Sequence, residues 1–149
     1  MPIIILETNI KAPIELVFDL SRSIELHQES TSSTNERAIA GKTSGLMELN
    51  DRVTWRAKHL GVYQNLSVVI SEMIKYTYFK DEMIKGAFKR FSHQHFFEQK
   101  GKVTVMKDVF DYSSPLGVLG KLADVLFLKN YMTRFLKERN RVIKLNAEK

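Results

Sequence analysis

The chain has 149 residues, of which 44% are hydrophobic and 27% charged; it carries 23 basic and 17 acidic side chains, for a net charge of +6, and contains no cysteine. Length and composition predict one globular domain, since a single core at this size buries roughly 68–70% of the surface that the unfolded chain exposes. The lack of cysteine excludes a disulfide scaffold, a thiolate metal site and a cysteine nucleophile.

Ile3 to Lys11 alternates as a β-strand, with Ile3, Ile5 and Glu7 on one face and Ile4, Leu6 and Thr8 on the other. Its opening apolar run, Ile3 to Leu6, is too short for the core of a signal peptide, and no stretch of about 18 apolar residues spans a membrane. The expectation is a cytoplasmic protein. Pro13 suits the first turn of a helix, because the N–H it lacks would be unpaired there, and Ile14, Val17 and Phe18 follow at helical spacing. Ser21 reads as the cap of a second short helix through His27, and the Ser/Thr-rich stretch from Glu29 to Asn35 as a loop.

Strands follow. Glu36 to Ala40 is short, and Gly41 to Asn50, with two glycines, reads as a mobile loop that could gate a cavity. Arg52 to Leu60 places Val53, Trp55, Ala57 and His59 on one face. After Gly61, the segments Val62–Tyr76, Thr77–Lys85, Ala87–Gln99 and Lys102–Tyr112 read as antiparallel strands, with Lys100-Gly101 as the last hairpin turn. Ser113-Ser114-Pro115 ends the sheet.

From Leu116 the chain reads as helical, and thirty residues would make a rod of roughly 45 Å. Leu116, Leu119, Leu122, Ala123, Leu126 and Phe127 form its first apolar stripe. Leu128, Tyr131, Met132, Phe135, Val142 and Ile143 form a second on another face, which predicts a kink near Phe127 to Asn130 or two abutting helices. The tail from Leu116 holds eight basic and three acidic residues, so it carries +5 of the charge, and the body is nearly neutral. The order of elements predicts an α+β fold: a curved antiparallel sheet of about seven strands gripping a long C-terminal helix, with two short helices after the first strand and a cavity between helix and sheet.

The chain resembles the START-like helix-grip superfamily, also called SRPBCC, which includes polyketide cyclases/dehydrases and lipid-transfer domains. The stretches that carry the resemblance are Ala12-Pro13-Ile14-Glu15 with Val17-Phe18, Leu26-His27, Ala40-Gly41-Lys42-Thr43-Ser44-Gly45, Val53-Thr54-Trp55, Asp81-Glu82-Met83, Phe91 to Phe97, and Asp111-Tyr112 before Pro115-Leu116-Gly117. They look like a bacterial cyclase or cell-division-inhibitor-like branch. The resemblance implies a cavity for a hydrophobic or amphipathic small molecule and no particular reaction.

His93 and His95 lie two apart on a predicted strand and share a face with Phe91 and Phe97. Asp81, beside Phe79 and Met83, and Asp108, beside Met106 and Phe110, add carboxylates from neighbouring strands. Two readings stay open: a buried polar cluster that fixes register or orients a ligand, and an acid/base set in which His93 or His95 acts on a bound carbonyl compound, as in a cyclase or dehydratase. His-x-His with a nearby aspartate is also a facial metal spacing, but it needs a third ligand in reach, and neither metal nor cofactor is assigned. Predicted ligand-lining residues are Trp55, Phe79, Met83, Phe91, Met106, Phe110, Tyr112, Leu119, Leu122, Ala123 and Leu126, with Tyr112 and Tyr131 near the entrance.

Gly41-Lys42-Thr43 is not a P-loop, because Glu36 stands where the motif needs its first glycine, and no Gly-x-Ser-x-Gly elbow occurs. Arg134, Lys137, Arg141 and Lys144 make a basic stripe that reads either as a solvated face or as a weak contact for anionic membrane surfaces. Without a groove-reading motif or stacking platform it does not suggest nucleic acid. A third function stays open, a partner-binding domain with a collapsed pocket; oligomeric state is not legible.

Overall fold

A computed structural model describes residues 2–59, 61–114 and 127–149. Strand β1 (Ile3–Ile10) is followed by helices α1 (Ile14–Ser21) and α2 (Ile24–Ser30) and a short 3-10 turn, Ser32–Thr34. Strands β2 (Arg37–Gly41), β3 (Arg52–His59), β4 (Val62–Ile74), β5 (Tyr78–Lys85), β6 (Arg90–Lys100) and β7 (Val103–Ser113) come next, and helix α3 (Lys129–Ala147) closes the chain. All strand pairs are antiparallel, in the order β1-β7-β6-β5-β4-β3-β2. Register shifts between Ala38 and Ala40 in β2 and between Ile70 and Glu72 in β4 mark the irregularities that bend such a sheet.

The alternation read from the sequence decides which face turns inward. Val53, Trp55 and Ala57 of β3, Phe91, His93, His95 and Phe97 of β6, and Thr104, Met106, Asp108, Phe110 and Tyr112 of β7 are all buried. Phe18 of α1 meets the rings of Tyr76, Phe79 and Phe97 edge-on, with centroids 5.2–5.5 Å apart, which locks α1 over one end of the sheet.

Three local expectations are corrected. Ser23, not Ser21, caps α2: its hydroxyl accepts from Leu26 N at 3.1 Å, whereas Ser21 ends α1 and donates to Val17 O at 2.8 Å. Helix α2 runs on through Ser30 because Ser30 and Thr31 hydroxyls return to the carbonyl of His27, so the Ser/Thr-rich stretch is partly helical. The loop after β2 is anchored. Lys42 N donates to Arg52 O, Met47 N to Arg22 O and Glu48 N to Asp51 Oδ2, while Arg22 pairs with Asp19 and Glu48. Gly41 is itself a strand residue paired with Val53, and the bonds around it tie down the segment that the glycines suggested as a gate.

Leu128, with helical φ of −63° and ψ of −40°, leads into α3, and the predicted kink or helix junction near Phe127 to Asn130 borders residues outside the described ones. The first predicted stripe, with Leu116, Leu119, Leu122, Ala123 and Leu126, lies outside the described residues apart from Phe127, which is exposed. The buried face of α3 consists of Met132, Leu136, Arg139, Asn140, Ile143 and Ala147. Leu128, Tyr131, Phe135 and Val142 pack half-buried beside it. The sequence reading misses Leu136, Arg139 and Asn140 on this face, and Arg139 corrects the view that the tail's charge is all on the surface. No helix of the described residues is long and apolar enough to cross a membrane.

Candidate functional site

The pairing register β5-β6-β7 determines the polar cluster. Asp81 stands opposite His93 across β5 and β6, and His95 opposite Asp108 across β6 and β7. The hydrogen bonds run diagonally to this register: His93 Nε2 lies 2.8 Å from Asp108 Oδ1 and His95 Nε2 lies 2.7 Å from Asp81 Oδ1. The two imidazoles stack with centroids 3.8 Å apart, and Phe79 covers the outer face of His95 at 4.1 Å. Helix α3 closes the cluster from above. Asn140 Nδ2 donates to Asp108 Oδ2 at 2.7 Å, and Arg139 lies 3.6 Å from Asp108 Oδ1 while donating to Asn140 Oδ1 and to Ser21 O.

Burial would push both carboxyls up, but the bonds from the imidazoles and the nearby positive charge outweigh it. Asp81 is held below its ordinary value, chiefly by His95, and Asp108 well below it, by His93, His95 and Arg139. Burial lowers His93, with the neighbouring His95 adding to the effect against the pull of the two aspartates. His93 is therefore neutral, donating Nε2–H to an ionised Asp108 and keeping its lone pair on Nδ1.

Two cavities flank the cluster. The larger, about 440 Å³, lies between sheet and α3 and falls in the size range of small-molecule sites. Its apolar wall includes Trp55, Ala57, Leu66, Val68, Phe88, Phe91 and Phe110 from the sheet side and Leu128, Met132, Phe135 and Leu136 from the helix side. Asp81, His93 and Arg139 present the cluster to one part of it, and His27, Glu36, His59 and Tyr131 form a second polar group on the wall. In that group His27 Nε2 meets Glu36 Oε1 at 2.8 Å, and His59 Nδ1 meets the Tyr131 hydroxyl at 2.6 Å. Burial lowers His59, opposed by Glu36, and raises Tyr131. The smaller cavity, about 80 Å³, lies against Phe79, Asp81, His93 and His95. All four histidines thus line one cavity or the other.

Of the residues singled out in the sequence, Trp55, Phe91, Phe110, Asp81 and His93 line the larger cavity, while Phe79 and His95 reach only the smaller one. Met106 and Tyr112 are fully buried in the core, Asp108 sits behind His93, and Met83 lines neither space. Met106, Asp108 and Tyr112 lie on the expected face, but each is fully buried, so sharing a face with Phe110 does not bring them to the cavity. Sequence reasoning missed Arg139, Asn140, Glu36 and His27 as site residues. The Arg139-Asn140 pair could have been found as polar residues in register with Met132, Leu136 and Ile143, three or four residues apart.

Asp81, His93 and His95 bring one donor atom each within 4.8 Å of one another, so the third ligand that a facial metal site requires is in reach. Against a cation, both Nε2 atoms are already turned to carboxylates, and Arg139 contributes positive charge to the same cluster.

No family model matches the chain, and neither does any curated protein. Solved structures do. A protein of Thermus thermophilus superposes with a TM-score of 0.77 at 19% identity, covering 99% of this chain and 100% of that one. A START superfamily protein from Mycobacterium smegmatis gives 0.74 at 11% identity, over 98% and 97%. Ginseng major latex-like protein 151 from Panax ginseng gives 0.71 at 15% identity, also over 98% and 97%. The chain has the START-like helix-grip fold.

Proposed function

We propose that this chain is a cytoplasmic binding protein for a hydrophobic or amphipathic small molecule, lipid- or polyketide-like in character, held between the sheet and α3. The observation that carries this reading is the cavity of about 440 Å³, with aromatic and aliphatic walls and a few converging polar side chains. Burial of ligand surface against Trp55, Phe91 and Phe110 supplies affinity, and Asp81, His93 and Arg139 set orientation. A cavity of this size favours binding over the collapsed-pocket alternative. The test is native mass spectrometry of the purified protein, combined with quenching of Trp55 fluorescence by added apolar ligands.

One observation favours a second reading, a cyclase- or dehydratase-type enzyme. His93 borders the cavity, is kept neutral by burial, and is oriented through Nε2–H by Asp108, which leaves Nδ1 as the basic nitrogen of a general base. Turnover that His93→Gln abolishes, with ligand affinity kept within a few fold, would establish this reading in place of simple binding.

The anionic-surface contact rests on fewer charges than the stripe suggests. Arg141 pairs bidentately with Glu138, and Lys144 pairs with Glu148 and donates to Asn9 O, so Arg134 and Lys137 carry the attraction.

A further inference from the structure

The larger cavity has a charge arrangement that an apolar cargo alone does not explain. Glu36 precedes β2, is 6% exposed and lines the cavity. Its Oε1 is bonded to His27, and Oε2 makes no hydrogen bond among the described residues. One imidazole bond leaves most of a carboxyl group's acceptor capacity unused, and a carboxyl group this deeply buried calls for further donors. Among the described residues lining the cavity, Arg139 is the only lysine or arginine, and it belongs to Asp108. Among the described residues, the cavity and the cluster behind it thus hold three carboxyl groups, Glu36, Asp81 and Asp108, against one guanidinium, inside a chain whose net charge is +6.

Resting on the binding reading above, we infer that the ligand carries a protonated amine, received by Glu36. An ammonium supplies a positive charge and up to three donors. Glu36 Oε2 accepts one, and the aromatic rings of Trp55 and Tyr131, which line the same cavity, add to the attraction of a cation. His27 lies against Trp55 with centroids 4.2 Å apart, so the carboxylate and the indole are held together by one imidazole. The apolar body of the ligand lies along the phenylalanine wall.

Trp55, the only tryptophan, reports the test directly. Decylamine, 1-decanol and sodium decanoate share one chain length and differ in the charge of the head: cationic, neutral and anionic. Each is titrated at pH 8 into the wild type and Glu36→Gln, following Trp55 fluorescence. The expected result is at least tenfold tighter binding of decylamine than of the other two to the wild type, and in Glu36→Gln loss of that preference with 1-decanol affinity unchanged. Equal or weaker binding of decylamine by the wild type, or a tenfold preference that survives Glu36→Gln, overturns the amine assignment. If 1-decanol binds and decylamine binds no better, the amine assignment fails and the binding reading stands; if none of the three binds, both fail. Should Glu36→Gln not fold, the order of the three probes on the wild type decides.

Discussion

Asn140 on α3 and Asp108 on β7 are joined by a hydrogen bond of 2.7 Å, from Nδ2 to Oδ2, and this bond fixes the C-terminal helix to the floor of the sheet. Asp108 also receives Nε2–H of His93 on its other oxygen, so one fully buried carboxylate connects helix, β6 and β7. Helix α3 is held over the sheet by this polar contact and by its buried apolar residues Met132, Leu136 and Ile143, of which Met132 and Leu136 also line the cavity.

Removing the carboxylate leaves Arg139 and His93 without their partner in a buried setting. Asp108→Ala is expected to destabilise the protein by about 3–5 kcal/mol, and Asn140→Ala by about 1–3 kcal/mol, read from urea unfolding midpoints. A change below about 0.5 kcal/mol in Asp108→Ala, the size of an ordinary surface substitution, would show that the cluster does not hold the helix.

Acid should weaken the fold in two stages with the same sign. His93 is held below its ordinary value of 6.5 by burial and by His95, so the unfolded chain takes up its proton first. Its contribution is complete above that value and is lost as pH falls below it. Asp81 and Asp108 are held below 3.8, so their contribution is present above that value and is lost as pH falls through their lower folded values. Unfolding free energy measured by denaturant titration should decline steadily from neutral pH downward. In His93→Gln the upper stage should be shallower but not flat, because burial also lowers His59. Stability that rises between pH 7 and 5.5 would contradict the assignment.

Ala57 is a small residue on the cavity wall, placed by β3 beside Trp55 and His59. Ala57→Leu fills part of an existing void, so its melting temperature should stay level or rise while affinity for an apolar probe falls at least tenfold. A variant that binds as the wild type does would move the ligand elsewhere.

Gly41 has φ of +73°, and a Cβ there would run into the carbonyl oxygen of Arg52 across the β2–β3 ladder. Gly41→Ala is expected to cost about 1–3 kcal/mol, seen in thermal unfolding. If its melting temperature equals that of the wild type, the bonds tying this loop are not as strained by a side chain as the geometry requires.

Much of the fold was legible because β-strand alternation has a period of two and needs no knowledge of partners. The inward faces of β3, β6 and β7 follow from reading every second residue, and the closeness of His93 and His95 to Asp81 and Asp108 follows from hairpin order. The helix was less legible. Arg139 and Asn140 look like solvent-facing residues until Asp108 is known to lie beneath them, because a polar residue's burial depends on a partner 31 or 32 positions away in sequence. In the sequence Glu36 stands out only as the start of a short strand, which in the structure begins at Arg37, and as the residue that breaks a phosphate-loop motif. Its position on the cavity wall depends on the turn that brings the start of β2 against His27, a tertiary contact with no local signature.

Native mass spectrometry of the wild type and Ala57→Leu side by side, each freshly purified and then incubated with 1-decanol, tests the central claim most directly. A noncovalent small-molecule adduct on the wild type, absent or strongly reduced on Ala57→Leu, is the predicted result. A wild type that carries no adduct before or after incubation, or an adduct of equal abundance on both proteins, would contradict binding in the cavity between sheet and helix.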